Sequence, residues 1–565
     1  VPATLALWLA VAAAAGSDGP RAAAVPSGAP AAGSPATVTI SVVGTNDLHG
    51  HLEALPLLGG YLANLRRARA RDGGGVVLVD AGDMFQGTLA SNLNEGAAVV
   101  RAYGALGYDA AALGNHEFDY GPVGPAIAPH APADDPQGAL KARAAEARFP
   151  FLDANLVAAA TRAPPAWSNV RPTTIVEVAG VKVGIVGVTT IATPATTLPA
   201  NFVGLGVVPL APVVRRSAED LRRRGAKLVV VAAHAGGSCR DNQVPDDVSS
   251  CEGQSEIFQL ARALPPGTVD VIVAGHTHAG VAHRVAGVAI VESFDNGRAF
   301  GRVDVDFDVA RGRVAAVRVQ PPTFVHGHTG DPRPFYEGGP VGPDVAVATA
   351  IEPALAAARA ARDRPVGIAL EAPVTRAYKT ESSLGNLFAD LMRAARPGAD
   401  VAITNGGAVR VDFPAGPLTY GVVYEAMPFD NRFATLPVTG AELAELVGRN
   451  LARENGILSV SGFRARARCV AGGLDVTLTR ADGRPIAPGE RLELVTSDYL
   501  ATGGDGLMRE LGKRAVIDEE HLIREALVAG LAAPRATSGV REARYDPAHP
   551  RLDYPGPRPV RCAAP

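Results

Sequence analysis

At 565 residues the chain exceeds the usual size of one domain, so at least two are expected. A hydrophobic content of 47% with 20% charged residues excludes a disordered chain, and a formal net charge of −3 offers no surface for a nucleic-acid polymer. All but five of the 54 basic residues are arginine, in a background rich in Ala, Gly and Pro, so arginine abundance is compositional bias rather than a phosphate signal.

Near the N-terminus an apolar run from Leu5 to Ala15 precedes a small-residue, Pro-rich stretch ending near Ala36. The run is short for a bilayer span but fits the core of a secretory signal. Residues 1–36 are therefore read as a leader, with the native start open to lying upstream of Val1. The expectation is a secreted, periplasmic or cell-surface protein without a transmembrane span. Four cysteines agree with export, and an even count suggests two disulfides paired within each half: Cys239 with Cys251 around a short polar loop, and Cys469 with Cys562. A metal role for Cys239 beside His234 is the alternative.

From residue 37 to 320, Val/Ile-rich runs alternate with helix-like stretches. The runs Val38–Gly44, Val76–Asp80, Val181–Val188, Leu228–Ala233 and Val269–Ala274 have the length of core strands. Leu58–Ala70 and Val214–Arg224 carry helical spacing, and the alternation predicts an α/β sandwich. Residues 321–365 read as a connection: a Pro-, Gly- and His-rich stretch, then an Ala-rich helix over Asp344–Asp363. A second mixed α/β unit is expected over 366–544, and a Pro- and Arg-rich surface tail over 545–565, tied down by Cys562.

Five motifs follow predicted strand ends, where open α/β folds gather ligands. In Asn46-Asp47-Leu48-His49, residues two apart on an extended chain face the same side, so Asp47 and His49 can share one cation. In Asp80-Ala81-Gly82-Asp83, Gly82 permits a sharp turn that presents Asp83, whose two oxygens can bridge two cations. Gly114-Asn115-His116-Glu117-Phe118-Asp119 is the most specific string: Asn115 offers a neutral oxygen, while Asp119 can orient the His116 imidazole as an acid. His234 follows the fourth strand, and His276 and His278 follow the fifth. The donors suffice for two divalent ions sharing a carboxylate, and mixed O/N ligation suits Zn, Mn, Co or Fe. His51, His130, His283, His326, His328, His521 and His549 lack such context and are read as structural or solvated.

This ordered set resembles the calcineurin-like metallophosphoesterases, and more narrowly the 5'-nucleotidase family with its bacterial secreted UDP-sugar hydrolase/5'-nucleotidases. The resemblance implies an N-terminal four-layer α/β/β/α sandwich joined by a helix to a C-terminal nucleotide-binding domain. It also implies one metal held by Asp47, His49, Asp83 and His278, a second held by Asp83, Asn115, His234 and His276, and a His116–Asp119 catalytic dyad. Further motifs resemble the family's substrate domain: Gly385-Asn386-Leu387, the string Asn405 to Arg410, Pro428-Phe429-Asp430-Asn431, and the string Tyr499 to Gly506. They imply a base between Phe429 and Tyr499, Asp505 near the ribose, Asn405 and Asn431 in the pocket, and phosphate contacts from Arg410 and Arg376. Tyr499 stands where Phe is usual, and Lys379 offers a point charge where relatives present a further arginine fork.

The expected function is a hydrolase that removes phosphate from nucleotides, a 5'-nucleotidase that can also act on UDP-sugars; the oligomeric state is left open, with a monomer favoured. Alternatives on the same scaffold are a 2',3'-cyclic nucleotide phosphodiesterase/3'-nucleotidase and a sulfur-ester hydrolase. A catalytically inactive secreted nucleotide-binding protein is the alternative from another class, and the intact ligand set argues against it.

Overall fold

The computed structural model describes residues 37–124, 129, 133–325, 334–471 and 473–562. The expected leader and His130, His326 and His328 lie outside the described residues. The first half contains two stacked sheets. One has seven strands in the order Arg313–Phe324, Ala299–Asp308, Thr37–Thr45, Gly75–Asp80, Ala110–Ala112, Phe151–Leu152, Val170–Arg171. The other has six, in the order Gly280–Val285, Val288–Ser293, Val271–Ala274, Leu228–His234, Val181–Thr189, Thr173–Val178.

Alternation along the strands builds the layers. Val42, Val77, Val79, Ile185, Val230 and Val273 fill the space between the sheets. Their neighbours face outward: Val43 and Leu78 meet one helical layer, while Val186, Val229 and Val231 meet the other. Both faces of these central strands are thus buried, which is why they read as unbroken apolar runs. Helices Leu55–Arg71 and Ala97–Leu106 cover the seven-stranded sheet, and Leu210–Arg223 and Glu256–Ala263 cover the six-stranded one. The result is the expected four-layer sandwich.

The Ala-rich connection forms the helix Val345–Arg362, with Asp344 accepting from the amides of Ala346 and Val347 at its start. Val347, Ile351, Ala354 and Ala358 bury one face of it in the first half's core. The strand Arg313–Phe324 runs on through Pro321 and Pro322, past the point where the sequence suggested that the connection begins. It lies at the sheet edge, where proline's missing N–H breaks no ladder.

The second half is built on a five-stranded sheet ordered Leu458–Ser461, Val401–Asn405, Arg491–Ser497, Arg432–Thr439, Val516–Leu522. Ala402, Phe433 and Val495 face one core, against helices Ser383–Ala394 and Ile523–Ala532. Val401, Ile403, Leu436 and Leu494 face another, against helix Gly440–Leu451. That helix begins with a reciprocal capping box between Thr439 and Glu442. The tail is more than a surface strap: Leu552–Asp553 pairs with Phe463–Val470 on the side opposite Gly473–Arg480, making a third strand. Both expected disulfides are formed, Cys239–Cys251 and Cys469–Cys562. Among the described residues no helix is long and apolar enough to cross a membrane.

Candidate metal centre and substrate face

The five motifs leave the carboxyl ends of parallel strands from both sheets and converge. Thr45, Asp80 and Ala111 are register neighbours in one sheet, and Ala233 and Ala274 in the other. Asp47 (φ 50°), His49 (φ 49°), Asp83 (φ 57°), His276 (φ 82°) and His278 (φ 56°) adopt left-handed backbone conformations, so five of the seven predicted ligands sit in strained positions. Gly114 is required by this crowding, since a Cβ there would lie 2.1 Å from Asp83 Oδ1.

Two donor clusters result, one of Asp47, His49 and His278 and one of Asp83, His234 and His276, each with ligand atoms within 4.8 Å of one another. Asp83 Oδ2 lies 3.1 Å from His234 Nε2 and 3.9 Å from His49 Nε2, so this carboxylate stands between the clusters. Asn115 turns Oδ1 toward His234 Nε2 (3.0 Å), because its amide nitrogen donates to Thr196 O (3.1 Å).

The hydrogen bonds behind the rings define what faces inward. His49 Nδ1 donates to Gln86 O (2.8 Å), leaving Nε2 as the bare nitrogen, 3.1 Å from His278 Nε2. His234 Nδ1 donates to Ala81 O (2.9 Å), leaving Nε2 facing Asn115 Oδ1, Asp83 Oδ2 and, at 3.2 Å, His276 Nδ1. Lone pairs pointed at one another at such distances repel unless a cation or proton lies between them. A backbone carbonyl fixing the outer ring nitrogen is the arrangement that presents imidazole to a metal. The donor set therefore fits two divalent cations, with Asp47, His49 and His278 toward one, His234, His276 and Asn115 toward the other, and Asp83 toward both.

The buried carboxylates and imidazoles also shift one another's titration. Burial raises the Asp47 pKa, but the charge and hydrogen bond of His278 outweigh it, and the net value falls to about 2. Burial opposes charge on His234, yet Asp83 overrides it by charge and hydrogen bond, raising that imidazole to about 10. Burial likewise pushes His49 well below its ordinary value, with the Arg410 charge adding to the effect.

Beside the clusters, His116 Nδ1 lies 2.5 Å from Asp119 Oδ2, leaving Nε2 as the other ring nitrogen. Thr197 Oγ1 donates to Asp119 Oδ1 (3.3 Å). The second half meets this face directly. Arg410 Nη2 lies 3.4 Å from His49 Nε2, and its guanidinium is 5.7 Å from the Phe429 ring centroid. Phe429 in turn lies 5.8 Å from the His116 ring. Asn405 Nδ2 donates to Asp505 Oδ2 (2.9 Å), and Tyr499 OH lies 3.0 Å from Asp505 Oδ1 and 3.1 Å from Ala195 O. Gly504 lets the Tyr499 ring sit against the backbone, since a Cβ there would lie 2.5 Å from ring atoms. Two predicted residues stand apart from these contacts. Arg376 is exposed with Nη1 on Val409 O (3.4 Å), and Lys379 is exposed. Asn431 contributes its backbone carbonyl, which accepts from Ile523 N (2.8 Å).

Several residues behind the site carried no assignment in the sequence reading. Glu117 accepts the amides of Asp83 (2.9 Å), Met84 (2.7 Å) and Gly114 (2.6 Å), tying two motif loops together. Glu292 accepts from Gly237 N (3.0 Å) and Thr277 Oγ1 (2.6 Å), joining the fourth and fifth motifs. Asp295 Oδ2 lies 3.2 Å from His278 Nδ1. Arg524, 4% exposed, donates to Phe429 O (3.1 Å) and Met427 O (3.4 Å) and pairs with Asp430, clamping the segment that carries Phe429. Glu117 sits inside the most specific motif and Asp295 follows a core strand, so both had a sequence signal; Arg524 had none.

Residues 40–280 match the family described as calcineurin-like phosphoesterase, and residues 358–511 match the family described as 5'-nucleotidase, C-terminal domain. The chain is 27% identical over 507 residues to the endonuclease YhcR of Bacillus subtilis, covering 86% of this chain and 39% of that protein's length. It is 26% identical over 506 residues to the protein UshA of Yersinia enterocolitica, covering 83% of this chain and 86% of that one. The solved structure of a 5'-nucleotidase precursor from Thermus thermophilus superposes with a TM-score of 0.70 at 25% identity, covering 91% of this chain and 99% of that one. With both halves matched in order and the paired donor clusters at the sheet ends, the chain belongs to the calcineurin-like metallophosphoesterase/5'-nucleotidase family.

Proposed function

We propose that this protein is an extracytoplasmic, dinuclear-metal hydrolase that removes phosphate from nucleotides, with UDP-sugars as a second substrate class. The observation that carries the reading is the pair of donor clusters flanking Asp83, with Arg410 and Phe429 of the second half brought against His49 and His116. Two divalent cations held by these clusters would supply charge against a phosphoryl group and hydroxide at neutral pH. His116, with Nδ1 held by Asp119, presents Nε2 as the acid that protonates the leaving oxygen. Arg410 places a forked donor over the same face for phosphoryl oxygens. Phe429 offers a ring face to a base, and the Asn405–Tyr499–Asp505 cluster offers polar groups to the sugar. Two disulfides, and the likeness at 26% identity to the cell wall protein Lmo0130 of Listeria monocytogenes, support placement outside the cytoplasm.

The division into units at 37–320 and 366–544, joined by 321–365 and followed by a 545–565 tail, belongs to the same proposal. Asn92 Nδ2 donating to Pro428 O (3.3 Å) and Tyr499 OH on Ala195 O join the units beside the site, so substrate entry requires these contacts to part. The test is product release, resolved by chromatography, from AMP, UDP-glucose, 2',3'-cyclic AMP and DNA after chelation and add-back of Zn, Mn, Co or Fe. Metal-restored release from AMP or UDP-glucose is expected. Release confined to the cyclic nucleotide, or absent throughout, would overturn the reading.

A further inference from the structure

A third cluster of ligating side chains lies outside the site described above. Cys239, Cys251 and His283 place their sulfur atoms and a ring nitrogen within 4.8 Å of one another. His283, on the strand Gly280–Val285, is 1% exposed, and its Nε2 donates to Asp241 O (2.9 Å). Its Nδ1 is therefore the bare nitrogen, and this buried atom has no hydrogen-bond partner among the described residues. An imidazole whose one N–H is fixed by a backbone carbonyl, whose other nitrogen is buried and bare, and whose ring lies beside two sulfurs has the form of a ligand awaiting a metal. As it stands, the two sulfurs are bonded to each other.

The loop between the cysteines is anchored without the S–S bond. Glu252 N donates to Ser238 O (2.8 Å) and Arg284 N to Pro245 O (2.7 Å). Asn242 Nδ2 donates to Gly280 O (3.2 Å), and its Oδ1 accepts Ala282 N (2.9 Å). These bonds hold the loop along the strand that carries His283, so cleaving the disulfide leaves both cysteines beside that ring.

We propose that Cys239, Cys251 and His283 form a redox-gated site for a soft divalent cation of the zinc class, closed while the disulfide is intact and opened by its reduction. A dithiol reductant gives up two electrons and two protons and is itself oxidised to a disulfide, while the Cys239–Cys251 bond is cleaved to two thiols. Cation binding releases both thiol protons, and the cation, unchanged in oxidation state, takes two thiolates and the neutral Nδ1 of His283. Two sulfurs and one nitrogen leave a fourth tetrahedral position open. The dinuclear centre, with oxygen and nitrogen donors only, is chemically distinct from it.

Cobalt(II) tests the proposal, because a thiolate-to-cobalt charge-transfer band in the near ultraviolet reports sulfur ligation and nothing at the dinuclear centre contributes to it. The whole chain is reduced with a phosphine, the reductant is removed anaerobically, and cobalt is titrated with far-ultraviolet circular dichroism as the fold control. Expected is one further cobalt per chain with the band in the reduced form and no band in the oxidised form. The Cys239→Ser/Cys251→Ser chain should lack the band, and the Cys469→Ser/Cys562→Ser chain should keep it. His283→Ala, and His283→Gln, which keeps a donor toward Asp241 O, should weaken cobalt binding by about ten-fold or more. A reduced chain without the band, a band that survives both His283 substitutions at full affinity, or unfolding on reduction alone would each overturn the proposal.

Discussion

Replacing Arg524 by methionine keeps much of the side chain's volume while removing every donor it offers. The guanidinium is buried, lies 4.1 Å from the Tyr424 ring centroid, and supplies hydrogen bonds to the carbonyls of Met427 and Phe429 besides its pair with Asp430. Hydrogen bonds from a charged donor contribute about 1.5–3 kcal/mol each. The longer one to Met427 counts at the low end, and the pair with the one-third-exposed Asp430 adds under about 1 kcal/mol. Part of that stability is retained, because Asn92 still holds Pro428 O and Ile523 N still holds Asn431 O. A net loss of about 1.5–3 kcal/mol in holding the 427–430 segment corresponds to roughly a ten- to hundred-fold fall in the binding-competent population. Steady-state kinetics on AMP should show KM rising by about that factor for Arg524→Met, with cation content unchanged and kcat reduced far less. Arg524→Lys, which keeps the charge without the fork, should fall between. A folded Arg524→Met enzyme with a KM within about two-fold of the native one would refute the idea that this arginine positions Phe429.

Other substitutions probe separate links. His116→Ala should lower kcat by about 10²–10⁴-fold while cation stoichiometry stays at the native level; parallel loss of metal and turnover would show that His116 is a ligand rather than the acid. Asp153 is buried, with Oδ1 accepting the amides of Asn155 (2.9 Å) and Leu156 (2.8 Å), and burial pushes its pKa from 3.8 up to about 7. Folding thus favours the protonated form. That contribution to stability is complete below about pH 4 and is lost as pH rises through about 7, reaching at most about 4 kcal/mol at 1.36 kcal/mol per unit. Denaturant melts of the native chain and Asp153→Asn should therefore diverge with rising pH, the native chain losing more stability; parallel pH profiles would contradict this.

The first half was legible in sequence because its strands are buried on both faces and end in chemically distinctive residues. Val38–Gly44 and Leu228–Ala233 could be neither loops nor amphipathic helices, and each is followed by an Asp or His with a reason to be there. Asp83 standing between two clusters followed from the turn at Gly82. What escaped were partners set by tertiary packing. Glu292 is in mid-strand, Arg524 is one arginine among 49 and 94 residues from its Asp430 partner, and His283 looked like any isolated histidine until the fold laid its strand against the Cys239–Cys251 loop. The edge strand through Pro321 and Pro322 was missed because proline's prohibition applies to strands paired on both sides. The tail's pairing at Leu552–Asp553 was missed because two residues carry no periodicity.

The proposed chemistry depends on two cations sharing Asp83. The direct measurement is cation stoichiometry and affinity by calorimetry on the chelated protein, with Mn added back to the native chain, Asp83→Ala and His49→Ala. Two Mn per chain are expected for the native protein, with affinity at both positions lost in Asp83→Ala and at one only in His49→Ala. A native chain that binds a single Mn, or an Asp83→Ala chain that still binds two at native affinity, would contradict the account.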